Sequence, residues 1–291
     1  MRRTSLILLS AILLLGLADG AMAAMVSLEP ASPAQGQPAL LKACLGKKVK
    51  QARVKFLRKE IPLNRGRDGC FYGAVAPDLV TKPGSYKLMV MADAKPAASA
   101  RVKVRPKNYG ERRITVAKKY MSLTPQQLNR HKREIKAQKK IYQRTTPQRY
   151  WRGGFVKPVP GSVTGPFGRR SIINGQPRSP HGGIDFRGAK GTPIMASGAG
   201  RVALVQDSFF GGQVILIDHG QGLVTAYRHL EVMKVKNGQM VAKGEIIGQV
   251  GMSGRVTGPH LHFDIHLSGA RVDPMAWLRI SRILSQRLTG R

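Results

Sequence analysis

The residues of this chain best suited to chemistry are its seven histidines, His131, His181, His219, His229, His260, His262 and His266, six of which fall after residue 155. Two local patterns place histidines where they could act together. His181-Gly182-Gly183-Ile184-Asp185 sets an imidazole and a carboxylate four residues apart across two glycines. Those glycines would let a loop bend tightly enough to bring both side chains onto one ion. Pro259-His260-Leu261-His262-Phe263 sets two imidazoles two apart, which on a strand share one face while Leu261 takes the other. Imidazole and carboxylate donors together suit zinc. Three protein ligands would leave a fourth position for water, the arrangement of a catalytic ion rather than a structural one. Tyr227-Arg228-His229-Leu230 lies between the two patterns. The other histidines read as structural or remote: His219 closes a strand into a turn, His266 shares the face of His262 further along, and His131 sits in a basic helix.

The order of these segments resembles a known family. Ser179-Pro180-His181-Gly182-Gly183-Ile184-Asp185-Phe186, then Tyr227-Arg228-His229-Leu230, then Ser253-Gly254-Arg255-Val256-Thr257-Gly258-Pro259-His260-Leu261-His262-Phe263 is similar to the M23 metallopeptidases, the lysostaphin-like or LytM-like cell-wall endopeptidases. The likeness runs from about Val159 to Leu278. It takes in Val163-Thr164-Gly165-Pro166-Phe167-Gly168-Arg169-Arg170 and the closing Val272-Asp273-Pro274. It implies that His181, Asp185 and His262 bind Zn²⁺, that His229 and His260 are catalytic, and that the substrate is bacterial peptidoglycan. Arg228 stands where the family often has a small residue and Asp264 where it often has glutamate; neither position is expected to touch a ligand. The implied mechanism is hydrolysis by a metal-activated water. His260 is expected as the base and His229 as donor to the oxyanion, with the two roles exchangeable. Tyr227 is expected to pack rather than to assist.

Mainly β architecture must position these groups. From Phe155 to Leu278, Gly-rich turns separate apolar runs: Gly200 to Val205, Gln213 to Ile217, Leu223 to Tyr227 and Glu245 to Val250. They read as antiparallel strands of a compact LytM-like domain over 155–280, without a helix of full length. Residues 26–106 read as a small immunoglobulin-like β-sandwich, with strands at Ala39–Leu41, Val54–Leu57, Phe71–Val75 and Ser85–Met91. Each of the two is expected to have its own core. Over 107–154 a basic helical linker is predicted. Thr124-Pro125-Gln126-Gln127 carries a capping-box signature, and Leu128, Ile135 and Tyr142 recur on one face. Arg130, Lys132, Arg133, Lys136, Lys139 and Lys140 supply the charge, and Thr146-Pro147 ends the segment. Residues 281–291 read as a basic tail.

Arg2-Arg3, an apolar run from Leu6 to Leu17 and Ala21-Met22-Ala23 have the layout of a cleaved secretory leader over 1–23. The run is shorter than the roughly 20 residues a membrane span needs. Export, most simply to the periplasm, makes a Cys44–Cys70 disulfide the natural reading of the only two cysteines; it closes a loop of about 25 residues for about 3 kcal/mol. The net charge of +34 draws the surface to polyanions. For an exported protein these are anionic envelope polymers before nucleic acid, and no nucleic acid partner is expected. Two other readings compete. Val241 to Gly248 resembles the half-barrel of biotinyl and lipoyl carriers with Lys243 as the modified residue, which leaves the histidines without a role. Alternatively, a non-catalytic or autoinhibited LytM-like module could grip the wall and regulate another hydrolase. The bond cut is expected to be the D-alanyl-diaminopimelate cross-link, with segments 171–179 and 206–212 shaping the pocket.

Overall fold

In the computed structural model, residues 13–14, 24–115 and 123–289 are described. The expected leader lies outside them except for β1 (Leu13–Leu14), which pairs with β2 (Met25–Glu29). Then follow β3 (Ala39–Cys44), β4 (Ala52–Phe56), β5 (Lys59–Arg65), β6 (Phe71–Val75), β7 (Gly84–Ala92) and β8 (Lys95–Val104). These eight strands form one antiparallel sheet in the order β1-β2-β3-β6-β5-β4-β7-β8. Strand β5 belongs to both halves: Lys59–Leu63 pairs with β4, whereas Asn64 and Arg65 pair with β6. The sheet therefore folds over at β5 into layers β2-β3-β6-β5 and β4-β7-β8, the strand order of an immunoglobulin constant-type sandwich. Val26, Leu41, Val54, Phe56, Val90 and Val102 fill the space between them.

The second half begins with β9 (Glu111–Ile114) and α1 (Pro125–Gln143). Short strands follow: β10 (Val163–Gly165), β11 (Arg170–Ile173), β12 (Gln176–Pro177), β13 (Ile184–Arg187) and β14 (Pro193–Met195). The long strands are β15 (Gly200–Ser208), β16 (Gly212–Gly220) and β17 (Leu223–Met233). After β18 (Met240–Val241) and β19 (Ile246–Val250) come β20 (His260–Leu267), β21 (Ala270–Val272) and α2 (Pro274–Thr289). The main sheet runs β10-β13-β20-β17-β16-β15-β18, with β19 bridging β14 and β17 and β21 flanking β20. Its pairings are antiparallel; the parallel pair is β9 with β11, in a separate small sheet. Strand β20 shows why the sheet has a chemical face. Leu261, Phe263 and Ile265 point into the core, so His260, His262, Asp264 and His266 share the other side.

Three expectations change. The sandwich keeps its inter-sheet core, but the two halves are not independent: Leu40, Cys70, Tyr72 and Ala74 share a second cluster with Trp277, Leu278 and Leu284. Helix α2 supplies the contact. Asp273 accepts from the N–H groups of Met275 and Ala276 and so caps it, with Pro274 at the first helical position. Burying Trp277, 1% exposed, contributes about 4–6 kcal/mol of transfer free energy, more than the Cys44–Cys70 disulfide, which is formed. The residues read as a basic tail are helical through Thr289, with Ser281, Leu284 and Ser285 buried, because this face of α2 completes the shared core. Helix α1 has the expected capping box at Thr124 and Gln127, yet buries Glu134, Gln138 and Tyr142 while Leu128 and Ile135 stay exposed. It lies on the main sheet over a mixed surface: Glu134 and Gln138 meet polar groups, while Tyr142 and Ile141 pack on Val214, Leu216, Val224 and Ala226. No helix among the described residues is long and apolar enough to cross a membrane.

Candidate metal centre and catalytic cleft

Register brings the carboxylate and one imidazole together. Asp185 on β13 pairs directly with His262 on β20, and His262 pairs on its other side with Arg228 on β17. The three side chains form a row across the sheet. His181 enters from the loop before β13, with its Nδ1 3.0 Å from the carbonyl of Pro166. A carbonyl can only accept, so Nδ1 carries the hydrogen and Nε2 is left as a free electron pair. His181 Nε2 lies 3.0 Å from His262 Nδ1 and 3.1 Å from Asp185 Oδ1, and those last two atoms are 2.8 Å apart. Donors placed about 2.0–2.1 Å from a tetrahedral ion stand about 3.3 Å from one another. The three atoms converge at nearly that spacing, and the set could hold a metal ion. The donor chemistry fits zinc.

The glycines of the first motif act differently from the expectation. Neither Gly182 nor Gly183 has a positive φ. A Cβ on Gly183 would instead lie 2.4 Å from the carbonyl oxygen of Phe263, and one on Gly165 would lie 2.1 Å from Asp185 Oδ2. Close approach of backbone to the site, rather than a tight bend, requires these two positions to lack side chains.

His229 reaches the site through an irregularity. On β17 the residues Arg228 and His229 together oppose a single position of β16, with a register shift between Gln213 and Ile215. His229 has φ 65°, and its N–H donates to the carbonyl of Gly211. This bulge re-aims the side chain, bringing its ring centroid to 4.9 Å from His260 and 6.1 Å from His262. Both of these neighbouring rings have assigned tautomers by the carbonyl argument. His229 Nδ1 faces Ser253 O at 3.0 Å and His260 Nδ1 faces Gly258 O at 2.9 Å, which leaves each Nε2 free. His260 Nε2 is 3.8 Å from Asp185 Oδ1.

Electrostatics separate the members. Burial opposes the charge on Asp185, but hydrogen bonds and positive charge from His181 and His262 outweigh it and hold the carboxyl far below its usual range. Burial also opposes charge on His262; the hydrogen bonds to Asp185 and Asp264 win and raise it to about 8. His229 is lowered to about 4, mainly by burial and then by the charge of His262. Its imidazole is therefore neutral near pH 7.

Some residues passed over in the sequence belong here. Asp264, 3% exposed, places Oδ2 3.4 Å from His262 Nε2 and accepts from Arg228 Nε at 2.8 Å. Neither Arg228 nor Asp264 stands at a position of the His/Asp/His cluster, but Asp264 touches His262 directly and Arg228 reaches it through Asp264. The alternation that put His260 and His262 on one face continues to Asp264 and His266, and that was the available signal. His266 is not remote: its Nε2 is 3.0 Å from Asp264 Oδ1. His131 lines a cleft of about 280 Å³ with His229, His262, Phe210 and Arg255. Ser208 and Gly211 line the same cleft, so segment 206–212 borders the site. Residues 171–179 do not appear on that wall. His219 is structural as expected, buried between Ala199 O and Thr225 Oγ1 at 2.8 Å each. Tyr227 packs fully buried, its hydroxyl accepting from Ser197 N.

A β-rich fold of LytM type carrying a His/Asp/His cluster defines the class. Residues 179–274 match peptidase family M23. A crystal structure from Pseudomonas aeruginosa, assigned to peptidase M23, superposes with a TM-score of 0.70 at 33% identity, covering 86% of this chain and 96% of that one. The chain belongs to peptidase family M23. Among curated relatives, the peptidoglycan DD-endopeptidase ShyA of Vibrio cholerae is 42% identical over 97 residues, 33% of this chain and 23% of ShyA. The DD-carboxypeptidase/endopeptidase Mpg of Neisseria meningitidis is 36% identical over 127 residues, 43% of this chain and 29% of Mpg. This chain thus spans about a quarter of the length of those relatives.

Proposed function

We propose that this protein is a zinc-dependent endopeptidase that hydrolyses peptide cross-links of bacterial peptidoglycan in the periplasm, with His181, Asp185 and His262 as metal ligands. The observation that carries the reading is the convergence of His181 Nε2, Asp185 Oδ1 and His262 Nδ1 within 2.8–3.1 Å, bordered by two further histidines. The peptidoglycan endopeptidases among its relatives support the substrate class. Bound zinc would supply Lewis-acid polarisation of the scissile carbonyl and a lowered water pKa.

The chain's own residues would handle the protons. His229, with Nδ1 committed to Ser253 and its pKa lowered to about 4, offers an electron pair rather than a proton at Nε2. It is therefore assigned as acceptor, exchanging the roles first expected for the two histidines. Once protonated, so acidic an imidazolium returns its proton readily to the leaving amine. His260, whose Nε2 sits 3.8 Å from Asp185 Oδ1 on the rim of the cluster, is the other histidine available to the reacting group. It is left as the donor to the developing oxyanion.

The testing experiment digests purified sacculi and identifies released fragments by mass spectrometry. Cross-linked dimers should fall to monomers with a new amine on the diaminopimelate side chain, and a chelator should stop the reaction. Unchanged cross-linking with zinc supplied would reject the assignment.

A further inference from the structure

The polar groups that α1 buries, Glu134, Gln138 and the Tyr142 hydroxyl, need polar partners. The partner shared by Gln138 and Tyr142 is Arg228, whose side chain is 16% exposed and each of whose three guanidinium nitrogens donates a hydrogen bond. Its Nε donates to Asp264 Oδ2 at 2.8 Å, its Nη1 to Gln138 Oε1 at 3.0 Å, and its Nη2 to the Tyr142 hydroxyl at 2.7 Å. Helix α1 thus supplies two of the three acceptors of a largely buried cation. The Tyr142 ring also stacks on His266 at 3.6 Å and 9°, and His266 Nε2 faces the other oxygen of Asp264. Asp264 is therefore flanked on both sides by groups that Tyr142 touches, hydrogen-bonded by Arg228 and 3.0 Å from His266 Nε2. The same carboxylate faces Nε2 of His262, the nitrogen that a ligand bound through Nδ1 must satisfy elsewhere.

We infer that α1 forms part of the metal centre's support. Gln138 and Tyr142 act as positioning residues, through Arg228 and Asp264, for the imidazole of His262. The inference rests on His262 being a ligand. Its consequence is linkage: if docked α1 stabilises the ligating geometry of His262, bound metal must stabilise docked α1 by the same factor. The seat of α1 is suited to such coupling. The N-terminal and middle turns of the helix are held by polar contacts, Arg130 to Asp207, Glu134 to the N–H of Phe209 and Gln138 to Ser208, with Ile135 48% exposed; apolar packing comes at its C-terminal end, where Tyr142 and Ile141 meet Val214, Leu216, Val224 and Ala226. An element seated this way opens more easily than the core does.

The test uses the full chain and zinc alone. Zinc affinity is measured by competition with a chromophoric chelator, and ligand geometry by the visible spectrum of the cobalt(II) form. Tyr142→Phe keeps the ring stack on His266 and removes only the hydroxyl; Arg228→Met removes the whole link. Loss of support beyond the ligands costs about 10–100-fold in metal affinity. Arg228→Met should fall in that range and Tyr142→Phe at its lower end, both with altered cobalt spectra. In the wild type, zinc should slow amide hydrogen exchange over residues 125–143, and this protection should shrink in both variants. If Arg228→Met does not fold, Tyr142→Phe decides. Wild-type affinity, spectrum and exchange in Tyr142→Phe would overturn the inference and leave the contacts as helix packing. A wild-type protein that binds no zinc, or a His262→Ala variant that still binds it fully, would instead refute the ligand assignment.

Discussion

His219 offers a quantitative check on the fold behind the site. Its ring is 0% exposed, and burial lowers its pKa from 6.5 to about 4. Neutral His219 is at home in the fold, and the unfolded chain binds the proton more readily. Stability is therefore complete above the unfolded pKa of about 6.5 and is lost as pH falls toward about 4. A shift of this size corresponds to about 3 kcal/mol, with a slope approaching 1.4 kcal/mol per pH unit inside the window. The perturbation is His219→Asn, which keeps a donor near the Ala199 carbonyl and cannot titrate. Urea unfolding of both proteins in chelator, between pH 4.5 and 7.5, gives the difference in stability at each pH. Other titrating groups cancel in that difference. The variant should be weaker by a constant amount near pH 7.5, and the gap should close as pH falls. Parallel curves would refute the reasoning, because they would mean that His219 binds its proton equally well in both states.

The remaining expectations are brief. Each of His229→Ala and His260→Ala should retain fold and zinc yet lose about 10²–10⁴-fold in turnover on a soluble cross-linked muropeptide; near wild-type rates in both would remove them from the mechanism. Thiol alkylation without reductant should label neither Cys44 nor Cys70. Replacing both by Ser should lower the unfolding midpoint of the whole chain, since Cys70 packs in the cluster that holds Trp277; a change confined to residues 26–106 would contradict the shared core. Neutralising the exposed Lys132, Arg133, Lys136 and Lys140 should raise KM on sacculi and weaken binding further as the Debye length shrinks from about 10 to 3 Å, with small-substrate kinetics unchanged. Equal losses on both substrates would place these charges in the site rather than in substrate capture.

Much of this site was legible because strand alternation is strict. The spacing in His260-Leu261-His262 fixed a shared face, and the order of three motifs fixed the company those residues keep. What the sequence withheld came from register and packing. No local pattern says that Arg228 pairs across the sheet with His262, or that the bulge at His229 turns its ring toward the cleft. The apolar spacing at Leu128, Ile135 and Tyr142 predicts the helix but not which of its residues are covered, because that depends on the surface beneath it. Under the middle of α1 lies Arg228, so Glu134 and Gln138 are covered and Ile135 is left in solvent; only toward Tyr142 does the surface become apolar, with Val214, Leu216, Val224 and Ala226. The shared core was missed for a similar reason: α2 begins in the peptidase segment and finishes against β6 of the N-terminal sandwich.

The central claim is that His262, not its neighbour two residues earlier, holds the ion with His181 and Asp185. Zinc content of the purified, zinc-equilibrated protein, measured by elemental analysis on His262→Ala and His260→Ala side by side, tests it most directly. The expected result is one zinc per chain in His260→Ala, as in the wild type, and essentially none in His262→Ala. Full occupancy in His262→Ala, or loss of zinc in His260→Ala alone, would contradict it.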